Sequence, residues 1–520
     1  MTEINNTVDE DELPREFNAT TYFVDRHLDE GRGNKIAFID AKGSHTYSDL
    51  ATKVNKFANA LKTHGVRQEA RIAMIMLDTI DFPVAFWGAI KAGVVPVAIN
   101  TLLTTEHYRF ILSDCRAQIL MVSAALYSTV KPVLNELKNL QRVIVVDGDD
   151  SISLATFIAS SSDTYSAVAT TRDDACFWLY SSGSTGNPKG VVHRHANLYW
   201  TARLYGRGVL KICEEDIIYS AAKLFFAYGM GNGMTFPMDV GATTILLDGR
   251  PTPDVVMSIM REHQPTLFCG VPTLYAAMLA NLENHRENGS LKLRRSISAG
   301  EALPEEIGKT FEARFGVEVL DGVGSTEMLH IYLSNQAGDV HYGCSGVAVP
   351  GYQLRLVDEA GKDVQLGNIG ELIVNAPSAC DGYFNQREKN RKTFVGKWSY
   401  SGDKYVQNKQ GYYVYCGRSD DMFKSGGNWV SPFEVESAIA AHNDVLEAAV
   451  VPKADDNGNE KPLAFVVLNK GVSGDDSMDS ALKAFVQERL ELWKYPRWIK
   501  FVDELPKTAT GKIQRFKLRN

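Results

Sequence analysis

The densest group of reactive side chains in the sequence is the run at 180–190, YSSGSTGNPKG. It sets the hydroxyls of Ser181, Ser182, Ser184 and Thr185 among Gly183, Gly186 and Gly190, and carries Lys189 near its end. Small residues let backbone N–H groups close around phosphate oxygens, and a lysine adds positive charge. An ordinary Gly/Ser turn needs neither the hydroxyl density nor the cation. The run is not a Walker-type loop, which ends Gly-Lys-Ser/Thr so that the last hydroxyl holds magnesium. Here Pro188 precedes the lysine and Gly190 follows it. No Gly-x-Ser-x-Gly elbow occurs, which disfavours a serine hydrolase.

Five more short runs follow in order: Ser298-Ala299-Gly300-Glu301-Ala302, Gly324-Ser325-Thr326-Glu327, Tyr400-Ser401-Gly402-Asp403, Gly417-Arg418-Ser419-Asp420-Asp421 and Pro506-Lys507-Thr508-Ala509-Thr510-Gly511-Lys512. Glu327 closes a strand-and-glycine stretch, where an unpaired carboxylate has little structural reason to sit. Asp403 stands beside Gly402, suited to accept hydrogen bonds, although an Asp turn would have the same composition. Lys512 has no local partner in the sequence and would by default be a surface lysine.

Together these runs resemble the adenylate-forming enzymes, the family of acyl-CoA synthetases, luciferases and peptide-synthetase adenylation domains. The resemblance spans nearly the whole chain. It implies ATP, Mg²⁺ and coenzyme A as cofactor and co-substrates. Activating a carboxylic acid brings two anions together, so cations must neutralise them. By resemblance, residues 181–186 and Lys189 follow the phosphates, and Gly300, Glu301, Ala302, Asp321, Gly322 and Val323 line the adenine. Thr326 bonds the α-phosphate, Glu327 holds Mg²⁺, and Asp403 and Arg418 take the ribose or phosphate. Lys512 bridges the carboxylate and the α-phosphate, a reach that suits its long side chain. Asp420 is the expected hinge. Val323 departs from the pattern, since many relatives carry an adenine-stacking aromatic there.

The acid is expected to be aromatic. Amino-acid-activating relatives place an Asp in the segment that reads KLFFAYG at 223–229 here, where there is no acid. Its aromatic and small residues suit a flat guest. The stretches at 177–186, 220–229, 321–334 and 506–518 resemble benzoate–CoA ligases of bacterial aromatic degradation. That resemblance implies a substrate site from Phe226, Ala227, Tyr228, Gly300, Gly324, His330, Ile331 and Lys424. It implies a coenzyme A site from Gly426, Gly427, Asn428 and Trp429, with Trp493, Lys494, Tyr495 and Arg497. The expected reaction forms an acyl-adenylate from benzoate and then benzoyl-CoA. A ligase for hydroxybenzoate or aminobenzoate, or an aryl-adenylating enzyme that loads a carrier protein, is the alternative. A non-catalytic nucleotide-binding protein is disfavoured by the intact Thr326, Glu327, Asp403, Arg418 and Lys512. His193 and His195 flank Arg194 without a third ligand nearby and read as structural. Lys512, flanked by small residues, is also a reachable target for a lysine acetyltransferase, and acetylation would remove its charge.

The elements that must position these residues are legible as alternating apolar runs and amphipathic stretches. Residues 71–77, 118–122, 143–146, 217–222, 242–247, 266–271 and 317–320 read as strands, and 83–92, 254–263, 273–282 and 304–315 as helices. That alternation predicts an α/β fold of mainly parallel sheets flanked by helices, with ligands at the C-terminal ends of strands. From 350 the strands shorten (352–357, 371–374, 412–415), predicting a β-rich subdomain. Ser431-Pro432-Phe433-Glu434 has capping-box spacing and starts a helix. Two strands (447–451, 463–468), a helix at 481–492 and a strand at 498–502 complete a small mobile α+β domain. The expected domains are 1–419 and 420–520.

Composition agrees. The 520 residues are too many for one core and carry a net charge of −8, which gives no general attraction to nucleic acid. The seven scattered cysteines show no C-x-x-C pair and fit a reducing compartment. Acidic residues precede Arg15, opposite to a secretory signal, and no apolar segment suits a membrane span. A cytoplasmic enzyme is expected, its partners small molecules rather than nucleic acid or membrane. A homodimer and an acetyltransferase at Lys512 are the macromolecular partners that this reading admits.

Overall fold

The computed structural model describes residues 8–148, 153–181, 187–425, 428–456, 458–507 and 513–519. They form two compact units, one of Met1–Gln353 with Val374–Ser399, the other of Leu354–Ile373 with Tyr400–Asn520.

The first unit is built on two large sheets. In the seven-stranded sheet Val95–Ala98, Arg71–Ile75, Ile119–Ser123 and Arg142–Val146 run parallel, and Ala175–Ser181 joins them in parallel beside Val95–Ala98. These strands are almost wholly buried, which is why they read as continuous apolar runs. Two antiparallel strands then extend the sheet, Lys189–Arg194 on Ala175–Ser181 and the two-residue Gly382–Tyr383 on Lys189–Arg194. The phosphate-type run therefore begins on one strand of this antiparallel pair, at Ser181, and ends on the other, at Lys189 and Gly190.

The nine-stranded sheet has the order Val347–Ala348, Ile331–Ser334, Val319–Gly324, Arg295–Ser298, Leu267–Gly270, Ile217–Ser220, Thr243–Ile245, Ile36–Asp40 and Gly43–Thr46. It is parallel from Val319–Gly324 to Ile36–Asp40 and antiparallel at both ends. Helices Pro253–His263, Pro272–Ala280 and Glu305–Phe315 lie in the connections, and Val256, Met260, Tyr275, Phe311 and Phe315 from them share one core with Tyr219, Phe268 and Val319 of the sheet. Short strands follow at Gln353–Val357, Gly370–Asn375, Trp398–Gln407 and Tyr413–Arg418, the expected β-rich region.

In the second unit, Val445–Ala454 and Glu460–Leu468 form an antiparallel pair, with Trp498–Phe501 parallel to the latter. Helices Pro432–Ala440 and Asp476–Gln487 pack on it through Val435, Ile439, Leu482 and Val486. Ser431 caps the first helix, its Oγ accepting the Glu434 N–H at 3.0 Å. The Glu434 carboxylate bonds Lys494 at 2.8 Å. The second helix lies earlier than its apolar pattern suggests. Asp475 caps it by accepting the Met478 N–H at 2.9 Å, and Leu492, which the expected span included, is 69% exposed and belongs to no buried face.

Of the seven thiols, Cys115, Cys176, Cys269, Cys380 and Cys416 are buried, Cys344 is half-buried and Cys213 is exposed. Among the described residues no helix is long and apolar enough to cross a membrane.

Candidate active site

In the first unit the strand Lys189–Arg194 carries the site. Side chains two apart along a strand share a face, so Lys189, Val191 and His193 point the same way. Lys189 Nζ lies 3.8 Å from Glu327 Oε1 and 4.4 Å from the centre of the Tyr383 ring. Val191 is paired in register with Tyr383, whose hydroxyl donates to Glu327 Oε1 at 2.8 Å. Asn197 Nδ2 donates to His193 Nδ1 at 2.9 Å, leaving His193 Nε2–H to donate to the Thr326 carbonyl at 2.9 Å. Burial pushes the His193 pKa down to about 3, so this imidazole stays neutral. Its ring stacks on Phe177 at 5.0 Å. His195 Nδ1 accepts the Ala19 N–H at 3.1 Å. Both imidazoles are thus held by hydrogen bonds within the first unit.

Glu327 differs from the expectation of an unpaired acid. Its side chain is only 18% exposed, and it is held by a phenol and faced by a lysine. The partners escaped sequence reasoning because they are distant in the chain, and a two-residue strand such as Gly382–Tyr383 leaves no periodicity. The Tyr383 phenol is pushed well above its usual pKa by burial and then by the Glu327 charge, so it remains a donor.

Thr326 and Glu327 follow the strand Val319–Gly324, which carries Asp321, Gly322 and Val323. Gly322 and Gly324 are required by close approach. A Cβ on Gly322 would meet Ile331 at 2.9 Å, and one on Gly324 the His330 carbonyl at 2.6 Å. Asp321 is fully buried. Its Oδ2 accepts the Leu303 N–H at 3.4 Å, while Oδ1 has no partner among the described residues. Burial pushes its pKa up to about 8. Gly300, Glu301 and Ala302 sit just past the neighbouring strand Arg295–Ser298, with Gly300 at φ +95°.

The segment 223–229 is fixed at both ends. The buried Asp78 carboxylate accepts the Leu224 N–H at 3.2 Å, and the Tyr228 hydroxyl donates to the carbonyls of Ile297 at 3.0 Å and Gly270 at 3.1 Å. Phe225 is core, 4% exposed, whereas Phe226 is half-buried against it. Asp78 was not evident as a positioning residue, since nothing in its local sequence marks it. His330 is buried among the rings of Tyr205, Tyr228 and Phe236. Its Nε2 lies 3.3 Å from the Tyr228 carbonyl, its Nδ1 has no partner among the described residues, and burial pushes its pKa down to about 3. Ile331 follows it, buried, at the start of Ile331–Ser334.

In the second unit Asp403 and Arg418 face each other across paired strands, with Arg418 NH1 donating to Asp403 Oδ1 at 3.0 Å and to the Ser401 carbonyl at 3.1 Å. Gly402 stands at φ +72° beside the guanidinium. Lys424 Nζ lies 4.8 Å from the ring of Trp429 on the facing strand of a short hairpin. Trp429 and Trp493 are each 38% exposed, and Arg497 stacks on Tyr495 at 4.4 Å. Asp420 follows the strand Tyr413–Arg418 by two residues. Ser182, Gly183, Ser184, Thr185, Gly186, Gly426, Gly427 and Lys512 lie outside the described residues. Ser181 ends its strand, with Oγ unpartnered among the described residues.

Among the described residues no cluster of three or more His, Cys, Asp or Glu could hold a metal. Magnesium binds one or two carboxylates and takes its other ligands from phosphates and water, and Glu327, beside Lys189, is a single carboxylate of the kind such an ion uses.

The model of the AMP-binding enzyme family matches residues 25–384, and that of the AMP-binding enzyme C-terminal domain matches residues 434–512. The chain is 53% identical over 518 residues to a benzoate–CoA ligase of Thauera aromatica, covering 99% of this chain and 98% of that one. It is 48% identical over 509 residues to a 4-hydroxybenzoate–CoA/benzoate–CoA ligase of Rhodopseudomonas palustris, covering 97% and 94%. A solved benzoate CoA ligase from Burkholderia xenovorans LB400 superposes with a TM-score of 0.90 at 51% identity, covering 97% of this chain and 100% of that one. With a family match over most of its length and relatives of this similarity, the chain belongs to the AMP-binding enzyme family.

Proposed function

We infer that this protein is an AMP-forming acid–thiol ligase that converts benzoate, ATP and coenzyme A into benzoyl-CoA, AMP and pyrophosphate. The observation that carries this reading is the 53% identity, over 99% of the chain, to the benzoate–CoA ligase of Thauera aromatica.

In the first half-reaction a benzoate oxygen attacks the α-phosphorus of ATP, and the bond to the β-phosphate oxygen breaks with release of pyrophosphate. In the second the coenzyme A sulfur attacks the acyl carbonyl and AMP departs, the thiol proton passing to solvent. Magnesium, when bound, draws charge from the phosphate oxygens, and Glu327 is the residue that would hold it. Lys189 supplies cationic charge to the same phosphates, and His193 fixes the Thr326 backbone so that its hydroxyl can meet the α-phosphate. Asp403, paired with Arg418, offers its carboxylate to the ribose hydroxyls. Lys512 bridges the two reacting anions. Tyr228, His330 and Ile331, with Phe226, Ala227, Gly300 and Gly324, enclose the ring, Lys424 serves the carboxylate or phosphate, and Trp429, Trp493 and Arg497 serve coenzyme A.

Pyrophosphate release with ATP and a panel of acids, with and without coenzyme A, tests the reading. Benzoate and small ring-substituted benzoates, 4-hydroxybenzoate and 2-aminobenzoate among them, should give the highest kcat/KM. Octanoate or acetate exceeding every aryl acid would overturn it. The proposal includes a cytoplasmic location, where ATP and coenzyme A are supplied, and a homodimer, which sedimentation would reveal. It also includes control by acetylation of Lys512. Full activity in protein acetylated at Lys512, verified by mass spectrometry, would refute that last element.

A further inference from the structure

We propose that Tyr383 is a positioning residue for adenylation, holding the Glu327 carboxylate in place when Lys189 engages the triphosphate. The inference rests on Glu327 serving the metal, as proposed above.

Glu327 has two neighbours of different kinds. Lys189 is a cation 3.8 Å away, longer than a good hydrogen bond, and it also rests over the Tyr383 ring. A contact of that length is readily given up for phosphate oxygens. The Tyr383 hydroxyl, by contrast, makes a 2.8 Å bond to the same carboxylate oxygen. A neutral phenol satisfies one lone pair and fixes the carboxylate's orientation without cancelling the negative charge that a cation needs. An arginine or lysine in its place would compete with the metal for that charge.

The phenol is itself rigidly placed. Asn390 Oδ1 accepts the Tyr383 N–H at 2.7 Å, and Asn390 Nδ2 donates to the Tyr383 carbonyl at 2.8 Å. Gly382 stands at φ +126° with Asn390 3.1 Å from where a Cβ would lie, so the turn into Tyr383 admits only glycine. The ring is 5% exposed and packs on Phe394 at 5.3 Å. The Glu327 carbonyl accepts the Cys380 N–H at 2.8 Å, so the backbone leading to Tyr383 also holds the backbone of Glu327. Strand pairing, an asparagine clamp and a main-chain bond thus converge on one carboxylate.

Tyr383→Phe keeps the ring, its packing and its platform for Lys189, and removes only the hydroxyl. Mn²⁺ binding to the enzyme–ATP complex without acid, read by electron paramagnetic resonance, should weaken by about tenfold or more, as loss of an outer-shell partner does. Half-saturating Mg²⁺ in pyrophosphate release should rise in step, while KM for benzoate stays within twofold. In a Glu327→Gln background, Tyr383→Phe should add no further loss, because its effect passes through Glu327. Unchanged Mn²⁺ affinity in Tyr383→Phe, with Glu327→Gln weakened, would overturn the role of Tyr383 alone. Additive losses in the double variant would also overturn it. Unchanged affinity in Glu327→Gln would instead overturn the metal assignment on which the inference rests.

Discussion

At the scale of single residues, two acids of the site carry opposite expectations. Glu327 is oriented by a phenol that any acceptor oxygen can satisfy, so Glu327→Gln keeps that bond and loses only charge. We expect turnover to fall by about a hundredfold or more, with a melting midpoint close to that of the parent, because the charge serves chemistry rather than the core. Turnover and unfolding measured on one preparation check both halves. Asp321 behaves differently. Its folded pKa, raised to about 8 by burial, lies above its ordinary value of 3.8. Between those values the folded protein holds a proton that the unfolded chain has lost, so this group's contribution to stability is full below about pH 4 and is lost as pH rises through 8. We propose that Asp321 faces the adenine amino group, which donates best to the ionised carboxylate. ATP should therefore bind more tightly as pH rises from 6 to 8, by up to about tenfold per unit. Calorimetry on Asp321→Asn, which shares the nucleotide's own ionisation but has no proton to lose, isolates the effect and should show a flatter profile.

At the scale of elements, the site depends on backbones that touch. Gly231 opens a π-helical turn, Gly231–Thr235, against the edge of His330. A Cβ there would come within 2.6 Å of His330 Nε2 and 2.8 Å of Phe236 Cζ. Gly231→Ala should displace His330, lower kcat/KM for benzoate by about tenfold or more, leave KM for ATP within twofold, and cost about 1–3 kcal/mol of stability by overpacking. Steady-state kinetics for each substrate, with a denaturant melt, would show the split. Much of this scaffold was legible. Fully buried parallel strands such as Ile119–Ser123 announce themselves as apolar runs, and the glycine-bearing motifs fall at strand ends, where a parallel sheet presents ligands. What could not be read is pairing across distance. Nothing near Lys189 names Glu327, and nothing near Tyr383 names either. The carboxylate of Asp78 gives no local sign that it holds Leu224, because its bond is set by the packing of remote loops. The second unit's later helix was misplaced for a simpler reason. Its N-terminal turn is polar and is specified by the Asp475 cap rather than by apolar periodicity.

At the scale of the whole molecule, we propose that the two half-reactions draw on different residues near the C-terminus: Lys512 for adenylation, and the segment that ends at Trp429 for transfer to coenzyme A. We propose that Asp420 is the hinge that lets them alternate. Asp420→Pro fixes φ and removes an N–H where the chain must change conformation, and should separate the half-reactions. Lys512→Ala should slow adenylate formation by far more than transfer from preformed benzoyl-adenylate. Stopped-flow measurement of each step on both variants checks this, and equal loss of both steps in folded Lys512→Ala would contradict it. The distribution of thiols has a consequence of another kind. Six of the seven cysteines lie in the first unit and only Cys416 lies in the second. Burial pushes Cys115 and Cys416 up to about 12, so neither reacts until its surroundings open. The chain therefore carries a native clock for its own breathing. In a pulse of alkylating reagent the exposed Cys213 and the half-buried Cys344 label ahead of the buried thiols, and each later mass increment, mapped by peptide, dates the opening of the surroundings of one buried cysteine.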